Sequence, residues 1–101
     1  MSNYTIERQE AIELTTEYRN AFGENAIRAF KIDKAEIDEI FAENPSAKGI
    51  RAYMGGGTTD TFNLVMVAVD ADGNDILDNF YDHADKCPIS CDTTSILNNG
   101  E

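Results

Sequence analysis

A chain of 101 residues, 42% of them hydrophobic, is long enough for one domain with its own core and has nearly the composition of ordinary globular proteins. Its 8 basic and 19 acidic residues give a formal net charge of -11, which opposes direct binding to nucleic-acid phosphate or to an anionic lipid surface. No apolar run approaches the roughly 18 residues that a membrane-spanning helix requires.

The first ten residues contain neither the basic start nor the apolar stretch of a secretory signal. We therefore expect a cytoplasmic protein. In that reducing compartment the two cysteines, Cys87 and Cys91, are expected to be thiols or metal ligands rather than a permanent structural disulfide.

The segment from Thr5 to Phe22 has the pattern of a helix with one buried side. Its apolar residues recur at steps of three and four, namely Ala11, Leu14, Tyr18, Ala21 and Phe22. Thr5 or Asn3 is expected to cap the start of this helix, and Gly23 supplies a residue that can adopt the left-handed conformation at its end.

A second helix is predicted after a short segment of mixed character. Residues 26–32 fit either a strand or a helix, and we favour the extended form because apolar residues alternate near the end of the segment. The sequence Asp33-Lys34-Ala35-Glu36 then resembles a capping box, with Asp in place of Ser or Thr. Apolar residues on one face follow, and Asn44-Pro45 ends the helix.

Three strands are predicted in the second half of the chain, at residues 49–54, 62–69 and 75–81. The middle strand is almost wholly apolar, which indicates burial on both faces. Residues 70–74, Asp-Ala-Asp-Gly-Asn, have the composition of a hairpin turn. They depart from a calcium loop, because Asp75 stands where such a loop has glycine and Tyr81 where it has a bidentate glutamate.

These elements predict one α+β domain over residues 1–101. Two N-terminal helices, with a short strand between them if 26–32 is extended, would pack on a small antiparallel sheet of three to four strands. Residues 82–101 are expected to form an irregular C-terminal loop that carries the cysteine pair, with one helical turn beginning at Pro88. The doubly apolar strand needs cover on both faces, so the helices, the C-terminal segment or a second copy must supply it. Homodimerisation through the sheet is therefore a hypothesis.

The spacing of His83, Cys87 and Cys91 places three side chains that zinc prefers at four-residue intervals. A fourth ligand could come from Asp82 or Asp85. Pro88 prevents one continuous helix from presenting all three, and zinc sites ordinarily draw ligand pairs from separate segments. Three interpretations stay open: inert or surface thiols are favoured, a reversible disulfide comes next, and a metal site last.

The function predicted from these features is contact with another protein. A single histidine and the absence of a nucleophile-elbow motif argue against hydrolytic chemistry, so we do not expect an enzyme. Residues 52–101 carry one basic residue, Lys86, against nine acidic ones. We expect a small acidic non-enzymatic protein that acts as a homo-oligomer or as an accessory subunit with a basic partner. The alternative is a metal-binding or redox-responsive module built on His83, Cys87 and Cys91, with zinc as the cofactor.

Overall fold

The computed structural model describes residues 4–23, 25–58, 60–82, 85–87 and 91–99. Its mixed helix and strand content confirms the predicted α+β class. The elements in chain order are α1 (Arg8–Phe22), β1 (Ala29–Lys31), α2 (Lys34–Glu43), β2 (Gly49–Gly55), β3 (Asn63–Val69), β4 (Asp75–Tyr81), β5 (Asp85–Cys87) and α3 (Ile96–Asn99). Within the described ranges, no helix combines the length and the apolar composition needed to span a bilayer.

The strands form two antiparallel sheets. Strands β2, β3 and β4 form the larger one in that order, which confirms the predicted meander. Residues 26–32 contain a strand, β1, but it pairs with β5 and does not join the larger sheet. The predicted antiparallel sheet of three strands is therefore confirmed as this larger sheet. A fourth strand in the larger sheet is not found among the described residues.

The prediction of an irregular segment at residues 82–101 is corrected in two places. Strand β5 pairs with β1 in the register Ala29 with Cys87 and Lys31 with Asp85, and α3 forms one helical turn near the end of the chain. A three-residue strand and a four-residue helix are too short to leave a periodic pattern in the sequence. The predicted helical turn at Pro88 lies outside the described residues.

Helix α1 begins later than its apolar pattern predicts. Its N-cap is Glu7, which has extended backbone angles and makes no side-chain capping bond, so the prediction of Thr5 is wrong and Asn3 lies outside the described residues. The predicted end is confirmed. Gly23 has a φ of 84°, which favours glycine, and its N–H donates to a carbonyl oxygen of the last turn at 2.9 Å.

The surroundings of α1 also differ from the prediction. No residue of α1 is buried, and the helix lies against α3 rather than chiefly on the larger sheet. Nη1 of Arg19 donates to the carbonyl oxygen of Leu97 at 2.5 Å, and the Tyr18 hydroxyl donates to the carbonyl oxygen of Ile27 at 2.5 Å. Polar contacts therefore help to attach helix α1, and Leu14 and Phe22 of its apolar stripe are exposed.

Helix α2 begins and ends as predicted, although its cap uses different atoms. Asp33 is the N-cap, but its side chain makes no capping bond. Its carbonyl oxygen instead accepts the N–H of Glu36 at 3.1 Å, an early backbone bond of the helix. At the other end, Nδ2 of the buried Asn44 donates to the carbonyl oxygen of Ile40 at 2.7 Å.

The core lies between α2 and the larger sheet. It consists of Ile40, Met66, Ala68 and Tyr81, which are at most 7% exposed. The Tyr81 hydroxyl donates to Oε1 of Glu43 at 2.5 Å and accepts a bond from Nδ2 of Asn44 at 3.2 Å. Because the buried hydroxyl has partners on α2, the phenol ring can occupy the core without an unsatisfied polar group.

Strand β3 is covered on both faces at its centre, as its apolar run predicts, since Met66, Val67 and Ala68 are all buried. Val67 pairs with Arg51 and Val69 pairs with Asp75, so these side chains share the face away from α2. Nη1 of Arg51 donates to Oδ1 of Asp75 at 2.5 Å, and this ion pair links β2 to β4 across β3. A single chain therefore covers both faces of β3 at this point. Homodimerisation stays a prediction, but the need to cover this strand is no longer a reason for it.

Strand β4 contains an irregularity that sets which of its side chains face out. Ala68 pairs with Ile76 and Met66 pairs with Tyr81, so two steps along β3 correspond to five along β4. This bulge lets both Ile76 and Tyr81 pack toward the core. Between them, Leu77 and Phe80 are each 63% exposed.

Replacing the most deeply buried α2 side chain should destabilise the fold strongly. We expect Ile40→Ala to lower the free energy of unfolding by about 3 kcal/mol, because it removes buried methylene groups and leaves a cavity against β3. Urea unfolding measures this value. Met54→Ala is the control: Met54 is 60% exposed, and its replacement should cost less than about 0.5 kcal/mol. Equal losses in the two variants would contradict this location of the core.

The buried phenol should make stability depend on pH in alkali. Burial, followed by the hydrogen bond to Glu43, raises the pKa of Tyr81 above its ordinary value of 10.0. Below pH 10 this residue's contribution to stability is fully present; as pH rises further, the unfolded chain loses the proton first, and the free energy of unfolding falls. Tyr81→Phe should make that fall shallower in urea titrations on both sides of pH 10. If the free energy of unfolding fell with pH at the same slope in wild type and variant, Tyr81 would not be the source of the alkaline loss of stability.

Candidate functional site

The two cysteines of the predicted site lie at one end of the two-stranded sheet of β1 and β5, which we call the small sheet. Cys87 is the last residue of β5 and is 3% exposed. Its carbonyl oxygen accepts the N–H of Arg28 at 2.8 Å, a bond that extends the pairing of β1 with β5. Cys91 precedes α3 and is partly buried, whereas His83 lies outside the described residues.

The sulfur atoms of Cys87 and Cys91 are joined in a disulfide, with Cα atoms 4.8 Å apart. The expectation of two separate thiols is therefore corrected, and the reversible-disulfide alternative matches the bonded state. The expectation came from the compartment, not from geometry. A separation of four residues brings the two Cα atoms within the usual 4.4–6.8 Å range for disulfides once β5 ends at Cys87.

The zinc site predicted from His83, Cys87 and Cys91 stays a prediction. Zinc binds thiolates, so a bound ion and the disulfide exclude one another, and the site would belong to the reduced chain. Outside residues 1–3, 24, 59, 83–84, 88–90 and 100–101, no three His, Cys, Asp or Glu side chains gather as a metal-binding group. His83 lies outside the described residues, so this absence does not concern it.

Arg28 and Asn98 connect the disulfide to the short C-terminal helix. Nε of Arg28 donates to Oδ1 of Asn98 at 2.8 Å, and its Nη2 lies 3.9 Å from the sulfur of Cys91. Oδ1 of Asn98 also lies 3.9 Å from the sulfur of Cys87. The disulfide, the guanidinium group and the amide are thus one contact cluster that fixes α3 beside β1.

A cavity of about 740 Å³ adjoins this cluster. Helix α1 forms one wall, β1 forms the second, and the disulfide with the segment leading into α3 forms the third. Its volume falls within the range of small-molecule sites in proteins, about 300–1,000 Å³. The sequence analysis missed it, because its lining residues come from four segments that no motif connects.

Asp92 lies in the cavity lining and begins a tight turn. Its Oδ1 accepts bonds from the hydroxyl of Thr94 at 2.7 Å and from the N–H of the same residue at 3.0 Å. The side-chain bond from Thr94, followed by the backbone bond, lowers the pKa of Asp92. The carboxylate is therefore charged at neutral pH and is engaged in holding its own loop.

A second candidate site is the outer side of β4. We define the β4 surface as the residues Asp72, Leu77, Asp78, Phe80 and Asp82, all of which are exposed. It combines two large apolar side chains and the carboxylate of Asp78 on β4, an edge strand of the larger sheet, with two carboxylates just outside the ends of that strand. Sequence alternation alone would have put Phe80 on the same side as Ile76; the bulge reverses that assignment.

The hairpin before β4 has the turn structure predicted for residues 70–74. Oδ1 of Asp70 accepts the backbone N–H groups of Asp72 at 2.9 Å and Asn74 at 3.0 Å, and Gly73 has a φ of 83°. These bonds are those of an Asx turn, which explains the selection of Asp, Gly and Asn without a metal ion.

No protein-family model matches the chain, and searches of curated proteins and of solved structures find no match either.

Proposed function

We propose that the protein is a small non-enzymatic accessory subunit that binds a basic partner protein through the β4 surface. The observation that carries this proposal is the pair Leu77 and Phe80, each 63% exposed, with Asp78 between them and with Asp72 and Asp82 beyond the two ends of β4. An apolar centre with a charged rim is the usual composition of a protein-protein contact. A cationic rim on the partner would complement these carboxylates.

The charge distribution favours a different protein over a second copy. Two β4 surfaces brought together would place Asp72, Asp78 and Asp82 of each chain beside the same acids of the other. Like charges across an interface are unfavourable, and each chain has a formal charge of -11. Of the two predicted modes of contact, we therefore propose the accessory subunit.

The shape of β4 favours side-chain recognition over strand addition. Addition of a strand requires a regular edge with evenly placed backbone donors and acceptors. The bulge between Ile76 and Tyr81 breaks that regularity, and acidic side chains lie along the same edge. The partner is therefore expected to contact the side chains of Leu77 and Phe80.

A 14-residue amphipathic Lys/Leu peptide is the probe that tests the β4 proposal. It is titrated into the protein while the backbone amide chemical shifts are measured by NMR. We expect shifts concentrated between Asp72 and Asp82, with an affinity that falls as salt increases. The double variant Leu77→Ser, Phe80→Ser should bind at least about tenfold more weakly, because it removes the apolar contact. Met54→Ser is the matched control, since Met54 is 60% exposed at the opposite edge strand.

Three outcomes would contradict the proposal. These are equal binding of a Glu/Leu peptide of the same length, shifts centred elsewhere, and an equal effect of Met54→Ser. Light scattering at micromolar concentration should give the mass of one chain, 11.2 kDa. A dimer that dissociates in the Phe80→Ser variant would assign this surface to self-association instead.

A redox-responsive function is the second candidate, and the disulfide favours it. Cys87 belongs to the small sheet and Cys91 begins the segment that leads to α3, so the bond ties α3 to the sheet. Reduction would transfer two electrons and two protons to the sulfurs and leave two thiols. The tie to α3 would then consist of noncovalent contacts, including the bond from Arg28 to Asn98.

Reduction should loosen α3 selectively. We expect dithiothreitol, or the double variant Cys87→Ser, Cys91→Ser, to lower the free energy of unfolding by about 2 kcal/mol, since the closed loop is short. Hydrogen exchange should accelerate at Leu97 and Asn98, while the amide of Val67 changes only with global stability. Unchanged exchange at α3 after complete reduction would remove the redox-responsive candidate.

A further inference from the structure

The cavity between α1, β1 and the disulfide has an apolar interior. Leu14 and Tyr18 line it from α1, Phe30 from β1, and Leu97 from α3. Leu14 and Leu97 are 53% and 44% exposed, so they lie where the cavity meets solvent. A compound with an apolar body could cover these side chains and remove them from water.

The charged side chains that line the cavity are mostly positive, although the chain as a whole is acidic. Arg19, Arg28 and Lys31 line it together with one carboxylate, Asp92, among the described residues. These three cations come from only 8 in a protein of formal charge -11. The concentration of positive charge beside an apolar interior favours an anion as the occupant.

Lys31 and Arg19, two of these cations, differ in their surroundings. Lys31 lies 3.1 Å from Asp85 and 3.4 Å from Asp33, so its charge is balanced by nearby carboxylates. Arg19 donates to the carbonyl oxygen of Leu97 at 2.5 Å and to Oγ1 of Thr16 at 3.1 Å, which are both neutral acceptors. These bonds hold the guanidinium group in place and leave its charge available to an anion.

We propose that this cavity binds a small amphipathic anion, with an apolar body against Leu14, Phe30 and Leu97 and its charged head beside Arg19. The head lies beside Arg19 rather than beside Asp92, because the Asp92 carboxylate, which Thr94 holds in the lining, would repel an anion. This site is separate from the β4 surface and does not depend on the accessory-subunit function.

Calorimetric titration with dodecanoate, below the concentration at which it forms micelles, tests the site. We expect saturable binding of one molecule per chain and at least about tenfold weaker binding of dodecanol, which has the same chain without the charge. Arg19→Gln should weaken dodecanoate binding roughly tenfold, because it removes the charge-assisted contact. Arg8→Gln, on the same helix but outside the lining, should stay within about twofold.

A second variant separates loss of the ligand contact from loosening of α3. Leu14→Glu keeps both arginines and changes a half-exposed position, so the fold should persist while the new carboxylate opposes the anion. Met54→Glu adds the same charge elsewhere and should leave binding unchanged. Equal affinity for dodecanol and dodecanoate, equal effects of the paired variants, or no saturable binding would each overturn the proposal.

Discussion

The rest of the structure depends on the packing of α2 against the larger sheet at Tyr81. The ring of Tyr81 lies in the core with Ile40, Met66 and Ala68, while its hydroxyl bonds to Glu43 and to the buried Asn44. The same contact thus buries apolar area and satisfies the polar groups where α2 ends. Without the polar partners, a hydroxyl at this depth would oppose the packing.

The candidate sites lie where this core stops. To bring both Ile76 and Tyr81 inward, β4 takes up three more steps than β3, and the residues between them turn outward. The exposed pair Leu77 and Phe80 follows from that geometry. The other candidate site, the cavity, adjoins α1. This helix buries no residue, so its apolar stripe stays open beside the small sheet. The radius of gyration, 15.3 Å, exceeds the roughly 13 Å of a compact domain of this length.

The sequence predicted the elements whose signals are local. Strand β4 has the bounds that the Asp70–Asn74 turn implied. Helix α2 lies between Asp33 and Asn44, as its N-cap and helix-stop residues indicated. Contacts between distant segments left no such signal. The pairing of Ala29 with Cys87 involves two three-residue strands, and the cavity needs α1, β1 and the C-terminal segment together. The bulge was not predictable either, because only tertiary packing decides whether Phe80 or Tyr81 faces α2.

Native-state hydrogen exchange tests most directly whether the α2 contact with the sheet is the centre on which the fold depends. We expect the amides of Val67 and Ala68 to exchange only by global unfolding, since both residues are buried beside that contact. The amides in the middle of α1 should exchange at a clearly lower free energy, because α1 has no buried residue. Equal protection of α1 and β3 would contradict the central place of the α2 contact, because it would put both elements in one uniformly stable core.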